Sequence, residues 1–127
     1  MSTINVPGDF PTISAAITAA VAADTIVVAQ GVYNEQVNIN KTLTLNGPQV
    51  NVDARTRPFL ATDEAIITIV PAFGSGIINL LAQDIIINGF TIQEPAVITN
   101  GTAGIFAGDI GIYPPTTGTL NVTGISI

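Results

Sequence analysis

One eight-residue pattern returns along this chain and narrows what it can fold into. Ile85-Ile86-Ile87-Asn88-Gly89-Phe90-Thr91-Ile92 matches Leu120-Asn121-Val122-Thr123-Gly124-Ile125-Ser126-Ile127, an offset of 35 residues between positions 85 and 120. The shared order is apolar, any, apolar, polar, Gly, apolar, hydroxyl, Ile. Leu43-Thr44-Leu45-Asn46-Gly47 matches its first five positions 42 residues before Ile85. Recurrence of one unusual pattern marks a repeat architecture, in which a unit that cannot bury its apolar face alone is stacked on its neighbours. Each offset exceeds one short coil, so further coils, such as one through Ile66 to Ile69, are expected in between.

The densest stretch is Thr25 to Gly47. It holds three apolar runs, Thr25-Ile26-Val27-Val28, Gln36-Val37-Asn38-Ile39 and Leu43-Thr44-Leu45. Each is too short for a helix and is β-branched or alternating, which predicts strands. The breaks are Gly31, Asn34-Glu35 and Asn40-Lys41-Thr42, too short for the helical crossovers that parallel neighbours in one sheet need. An antiparallel meander would satisfy this segment alone. Its recurrence downstream favours a solenoid turn with each strand on its own face. Val27, Val37, Ile39, Leu43 and Leu45 are expected inward, and Thr25, Gln36, Asn38 and Thr44 outward. Asn46 and Asn88 would then stack as an amide ladder, and the recurrent Gly suits a corner with positive φ.

Around this core the chain reads as one domain over residues 1–127. Ile4 and Val6 predict a small first strand, and Pro7-Gly8-Asp9 a turn. Residues 11–23, PTISAAITAAVAA, predict the one helix, opened by Pro11 or Thr12, with Ile13, Ala16, Ile17, Ala20 and Val21 on one face. Placed before a β-solenoid, it would lie over the end and cover the apolar layer there. Coils are expected over residues 25–127. Residues 48–63 read as a protruding loop holding Arg55, Arg57, Asp53 and Asp63. Its acid and base would pair and hold it down. Strands are further expected over Glu64–Val70, Ile77–Leu81, Ile85–Ile92, Ile105-Phe106, Ile110–Tyr113 and Leu120–Ile127, with turns or connections at 71–76, 82–84, 94–104 and 114–118.

Composition bounds function. Only 9% of the 127 residues are charged against 47% hydrophobic, and net charge is −6. Lys41, Arg55 and Arg57 are the only cations, so no phosphate-binding face is expected, and neither nucleic acid nor an anionic membrane is an expected partner. The chain has no Cys and no His, which removes thiolate ligands, disulfides and the commonest general base. No apolar run is long enough to span a membrane. The opening residues lack a basic-then-apolar secretion signal, so the chain is expected either to stay in the cell that makes it or to have lost a leader.

The residues that carry these features resemble the N-terminal part of a right-handed parallel β-helix of the pectin-lyase-like superfamily. They are Phe10-Pro11-Thr12-Ile13-Ser14-Ala15-Ala16-Ile17, Asp24-Thr25-Ile26-Val27-Val28, Gly31-Val32-Tyr33-Asn34-Glu35, Lys41-Thr42-Leu43-Thr44-Leu45-Asn46-Gly47 and Ile87-Asn88-Gly89-Phe90-Thr91-Ile92. The match covers about residues 9 to 127, loosely beyond 93. It implies an all-β right-handed solenoid of about four to five coils with a capping helix at the N-terminal end. Two branches look closest. Pectin methylesterase opens on similar Gly-x-Phe-x-Thr-Ile and Gly-x-Tyr-x-Glu elements. Bacterial surface and repeat proteins often carry a stretch similar to Asn51-Val52-Asp53-Ala54-Arg55-Thr56-Arg57.

The esterase branch implies a Gln, two Asp and an Arg in later motifs that this chain lacks; Gln83-Asp84 is its nearest pair. The lyase branch implies a Ca²⁺ site, for which Asp53, Asp63 and Glu64 beside Arg55 or Arg57 are the only candidates. A polygalacturonase-like site implies a His. The expectation is therefore no enzyme, no catalytic residue, no cofactor and no metal. The leading reading is a structural or surface-assembly module on the outside of a bacterial cell or spore. It would associate with itself, as a trimer or by axial stacking, through Leu120, Val122, Ile125 and Ile127 of an apolar last strand. The alternatives are a carbohydrate-binding module, for which an exposed Tyr33 or Tyr113 beside an Asn/Asp groove would speak, and a truncated remnant of a methylesterase- or lyase-like enzyme.

Overall fold

The computed structural model describes residues 2–53, 56, 61–69, 76–93, 103–107 and 120–123. They form eleven strands and one short helix, in the order β1 (Thr3–Val6), α1 (Ile13–Ala19), β2 (Thr25–Val28), β3 (Gly31–Tyr33), β4 (Val37–Ile39), β5 (Thr44–Asn46), β6 (Ala65–Ile67), β7 (Gly76–Leu80), β8 (Ile85–Asn88), β9 (Thr91–Ile92), β10 (Ala103–Ala107) and β11 (Leu120–Thr123). A single 3-10 turn covers Ala61–Asp63.

The pairings among these strands are all parallel. They make three sheets: β1-β2-β5-β8-β11, β3-β6-β9 and β4-β7-β10. From β2 onward the chain takes the three sheets in fixed rotation, one strand in each before returning to the first. Parallel neighbours need a long crossover. Here the crossover between two strands of one sheet is made of strands belonging to the other two.

The recurrent pattern sets the register of the largest sheet. Leu120 pairs with Ile85 and Val122 with Ile87, the offset of 35 read from sequence. Leu45 pairs with Ile87 and Asn46 with Asn88, the offset of 42. These residues are direct neighbours, so no coil lies between them. Ile66 sits instead in the second sheet, paired with Val32 and Thr91. The long offsets come from long connections within a single circuit.

The core follows from strand alternation. Ile26, Val28, Val37, Ile39, Leu43, Leu45, Ile67, Ile78, Leu80, Ile85, Ile87 and Ile92 are buried together with Phe90. One expected inward residue is turned out: Val27 is exposed, and its neighbours Ile26 and Val28 fill the interior. The run TIVV has apolar residues at three successive positions, so its composition does not fix which parity faces in.

Other boundaries shift for local reasons. Gly31, expected as a break, opens β3, because its N–H donates to Glu64 O at 2.9 Å and the β-formers Val32 and Tyr33 follow. The segment 85–92, expected as one strand, is two. Gly89 at φ +86° turns the chain from the first sheet into the second, in a region that only glycine occupies without strain. β7 stops at Leu80, leaving Leu81 about half exposed. The expected features at 70–75, 94–102, 108–119 and 124–127 lie outside the described residues.

The helix is shorter than its apolar pattern. Thr12 is its N-cap, with Oγ1 accepting from Ala15 N–H at 3.1 Å, as Thr side chains do at this position. Ile13, Ala16 and Ile17 are buried against the strands, and α1 touches β1, β2 and β4. Burying each Ile contributes about 1.5–3 kcal/mol. The helix ends at Ala19 because Ala20 is extended, at ψ 153°. Val21, expected on the buried face, is 61% exposed. Its N–H donates at 2.9 Å to the Asp24 carboxylate, which also accepts from Ser2 N–H at 2.7 Å. That carboxylate offers the Val21 amide a partner outside the helix.

Candidate functional site

Charge is absent from the strands. None of the eleven contains Asp, Glu, Lys or Arg; the described charged residues all lie in corners, caps and connections. On the outer side of the largest sheet the register aligns Thr3, Thr25, Thr44 and Ile86 in one row, and Asn5, Val27, Asn46 and Asn88 in the next. Thr3, Asn5, Val27 and Ile86 are exposed, and Thr25, Thr44 and Asn46 half-buried. This face is neutral, with hydroxyls, amides and aliphatic groups repeating at the strand spacing of about 4.8 Å.

Leu120 and Val122, the described half of the expected interface, lie in β11 at the edge of that sheet. Their register partners Ile85 and Ile87 are fully buried. Ile125 and Ile127 lie outside the described residues. At the same end, β9 and β10 are the edges of the other two sheets. At the opposite end α1 packs on β1 and β4. Sheet edges carry unpaired N–H and C=O groups, and on the β9–β10–β11 side no described element lies over them.

The acidic candidates do not come together. Asp53 and Asp63 are exposed, whereas Glu64 is buried, its Oε2 accepting from Thr91 Oγ1 at 3.0 Å. Among the described residues no three acids converge as metal ligands. Arg55 and Arg57, and with them the expected ion pair of the loop, lie outside the described residues. Gln83 and Asp84 sit on an exposed corner, where Gln83 O accepts from Thr42 Oγ1 at 2.9 Å. Tyr33 is half-buried, and its hydroxyl donates to Ala29 O at 2.9 Å. Burial, and secondarily the Glu35 charge, raise its phenol above the ordinary value of 10.0. Its edge passes close to Gly31. Tyr113 lies outside the described residues. No described helix is long and apolar enough to cross a membrane.

Three polar arrangements escape the sequence reading. The first half of the loop after β5 does not protrude. It folds back over the end of β8. Gln49 N–H donates to Gly89 O at 3.2 Å. Asn51 N–H donates to Asn88 Oδ1 at 3.0 Å, and Asn88 Nδ2 to Asn51 Oδ1 at 2.9 Å. Asn88 thus spends its amide on Asn51, and the amide ladder expected with Asn46 gives way to this clasp. The amide pair across neighbouring strands occurs in another sheet, where Asn79 Nδ2 donates to Asn38 Oδ1 at 2.8 Å. Third, both ends of α1 are satisfied from the two corners that flank β4. Glu35 accepts at the start, and Lys41 Nζ donates to Ala20 O at 2.7 Å beyond the end. Only the equivalence of Asn46-Gly47 and Asn88-Gly89 hinted in sequence at close packing there.

Comparison with family models, with curated proteins and with solved structures finds no match to this chain.

Proposed function

We propose that the chain is a right-handed parallel β-helix of pectin-lyase-like type, capped by α1, and that it serves as a non-catalytic structural or surface-assembly module. The rotation of the chain through three parallel sheets supports the solenoid, and right-handed crossovers are the general rule for parallel strands. In this reading the five strands of the largest sheet count its coils, and α1 closes the β1 end.

The observation that carries the assembly role is the end formed by β9, β10 and β11. Among the described residues, three uncharged parallel strands stand there as the edges of their sheets. A β-strand edge that lacks charge invites another strand, because inward or edge-placed charges are how proteins normally prevent such pairing. The occupant is a second copy, stacked axially or in a trimer. Placement at a bacterial cell or spore surface rests on the resemblance to surface repeat proteins alone. The glycan-binding alternative is less well supported, since the Tyr33 hydroxyl is tied to the backbone and its ring is half-buried.

The test is molar mass by light scattering over a concentration series, for the chain and for Asn121→Lys, a charge placed on β11. Growth of mass with concentration, or a discrete trimer, abolished by the substitution while circular dichroism keeps its β signal, is the expected result. A monomer at every concentration overturns the assembly role.

A further inference from the structure

The clasp between Asn51 and Asn88 closes over one of the most labile dipeptides a protein contains. Asn followed by Gly cyclises readily, because a residue without Cβ leaves its nitrogen unhindered. The largest sheet holds two such steps side by side, Asn46-Gly47 on β5 and Asn88-Gly89 on β8, paired in register. The fold restrains them differently. At the first, the attacking nitrogen is occupied, since Gly47 N–H donates to Asn88 O at 2.8 Å. At the second, the side chain that carries the electrophile is held in place. Asn88, only 7% exposed, donates from Nδ2 to Asn51 Oδ1 and accepts at Oδ1 from Asn51 N–H, so Cγ is not free to swing onto Gly89 N while those bonds hold.

We infer that Asn88-Gly89 is a gated self-modification site, held as asparagine by the Asn51 clasp and converted to aspartate and isoaspartate when the segment 49–52 lifts away. The chemistry needs only water. Gly89 N bonds to Asn88 Cγ and loses its proton. The Cγ–Nδ2 bond breaks, and the nitrogen leaves as ammonia. Water then adds to either carbonyl of the five-membered imide and opens it. The conversion is one-way under ordinary conditions. The products also prevent the gate from closing again. Aspartate lacks the Nδ2–H that Asn51 Oδ1 accepts, and isoaspartate adds a methylene to the backbone just before Gly89, whose carbonyl receives Gln49 N–H. Either product places a negative charge on a sheet whose strands carry none. This site stands independently of the assembly role.

The experiment is peptide mapping by mass spectrometry, resolving Asp and isoAsp at positions 46 and 88, after incubation at mildly alkaline pH. It compares the folded chain, the same chain unfolded in urea, and folded Asn51→Ala. In the folded chain both positions should convert many-fold more slowly than in urea. In Asn51→Ala, conversion at 88 should rise several-fold while 46, guarded through Gly47 N–H, stays slow. Equal rates at 88 in the folded and urea-unfolded chain overturn the inference, as does an unchanged rate at 88 in Asn51→Ala. If the variant converts at 46 and 88 together it has lost its fold. The decision then passes to Asn51→Asp, which keeps a side-chain acceptor for Asn88 Nδ2: slow conversion at 88 supports the gate, and fast conversion with 46 still slow overturns it.

Discussion

The Glu35 carboxylate caps a helix that starts more than twenty residues before it, with Oε1 accepting from Ser14 N–H at 2.8 Å and from Ser14 Oγ at 2.6 Å. Its Oε2 accepts from Ile13 N–H at 3.0 Å. The first amides of any helix lack intrahelical partners, and α1 has no acid in its own first turn. Glu35 supplies that charge from the corner after β3, which ties the helix to the strand it covers. Glu35→Ala should lower stability by about 1.5–3 kcal/mol, the range for hydrogen bonds to a charged group. Glu35→Gln, which keeps one acceptor oxygen, should cost less. Urea midpoints of the two variants check the order, and equal midpoints for both and for the parent would remove Glu35 from the account of the cap.

Lys41 does the converse at the other end. Its ammonium donates to Ala20 O at 2.7 Å and to Thr18 O at 3.4 Å, where the carbonyls of α1 are otherwise open and where the helix dipole favours a cation. Lys41→Met keeps the stem and removes the charge. It should cost about 0.3–1 kcal/mol, with the loss shrinking in high salt. Denaturant curves at low and high ionic strength measure it.

What the sequence made legible and what it hid divide along one physical line. The equivalence of the repeat's positions could be read, Leu120 with Ile85 and Leu45 with Ile87, but not their direct pairing: the long offsets pointed to coils in between, whereas the extra residues lie in connections within one circuit. The inward parity of VNI and LTL could also be read, since their polar and apolar residues alternate. TIVV does not alternate, and Val27 was misplaced. The polar contacts were hidden. Glu35 with Ser14, Asn88 with Asn51 and Asn79 with Asn38 join residues far apart in sequence, and no local spacing announces such pairs. The candidate acids lie apart because Glu64 turns in to meet Thr91 while Asp53 and Asp63 stay in water.

The Asp24 carboxylate gives the fold a pH dependence with a definite sign. Hydrogen bonds from the Val21 amide, and then from the Ser2 amide, hold it below its ordinary value of 3.8, against the opposing effect of burial. A group whose folded value is depressed contributes stability that is fully present above the unfolded value and lost as pH falls through the folded one. The parent should therefore lose stability below about pH 4 more steeply than Asp24→Asn. Thermal melts between neutral and strongly acidic pH test this. Parallel curves for the two chains would show that Asp24 does not set the acid limit.

Gly89 is fixed by space as well as by conformation. At φ +86° a side chain is strained, and a Cβ there would fall on Val50 N and lie 2.6 Å from Gln49 C. Gly47 faces the same junction, where a Cβ would fall on Gly89 O. Because these neighbours of Gly89 are backbone atoms, the clash cannot be relieved by a rotamer change. Gly89→Ala should cost about 2–4 kcal/mol through strain and overpacking together. Loss of protection of the Asn51 amide in hydrogen exchange should accompany it. Gly8→Ala, where a Cβ meets only Asn5 Cβ at 3.6 Å, serves as the comparison and should leave the urea midpoint near the parent's.

Asn79 holds the start of β7 from inside. Its Oδ1 accepts from Gly76 N–H at 2.9 Å, and its Nδ2 donates to Gly76 O at 3.2 Å and to Asn38 Oδ1 at 2.8 Å. The residue is buried at 6% exposure, while Asn38 on the neighbouring strand is exposed. Removing the buried Asn79 acceptor takes from the Gly76 N–H its side-chain partner, while Gly76 O keeps the Gln36 Nε2 donor at 2.8 Å; losing that one bond costs about 1–3 kcal/mol. Removing Asn38 leaves only one Nδ2 hydrogen to find another acceptor. Asn79→Ala should thus destabilise well beyond Asn38→Ala. In the double variant the Asn38 change should add almost nothing, because its partner is already gone. Urea denaturation of the three variants and the parent closes the cycle. Full additivity would show that the amide pair across β4 and β7 is a geometric neighbour without energetic coupling.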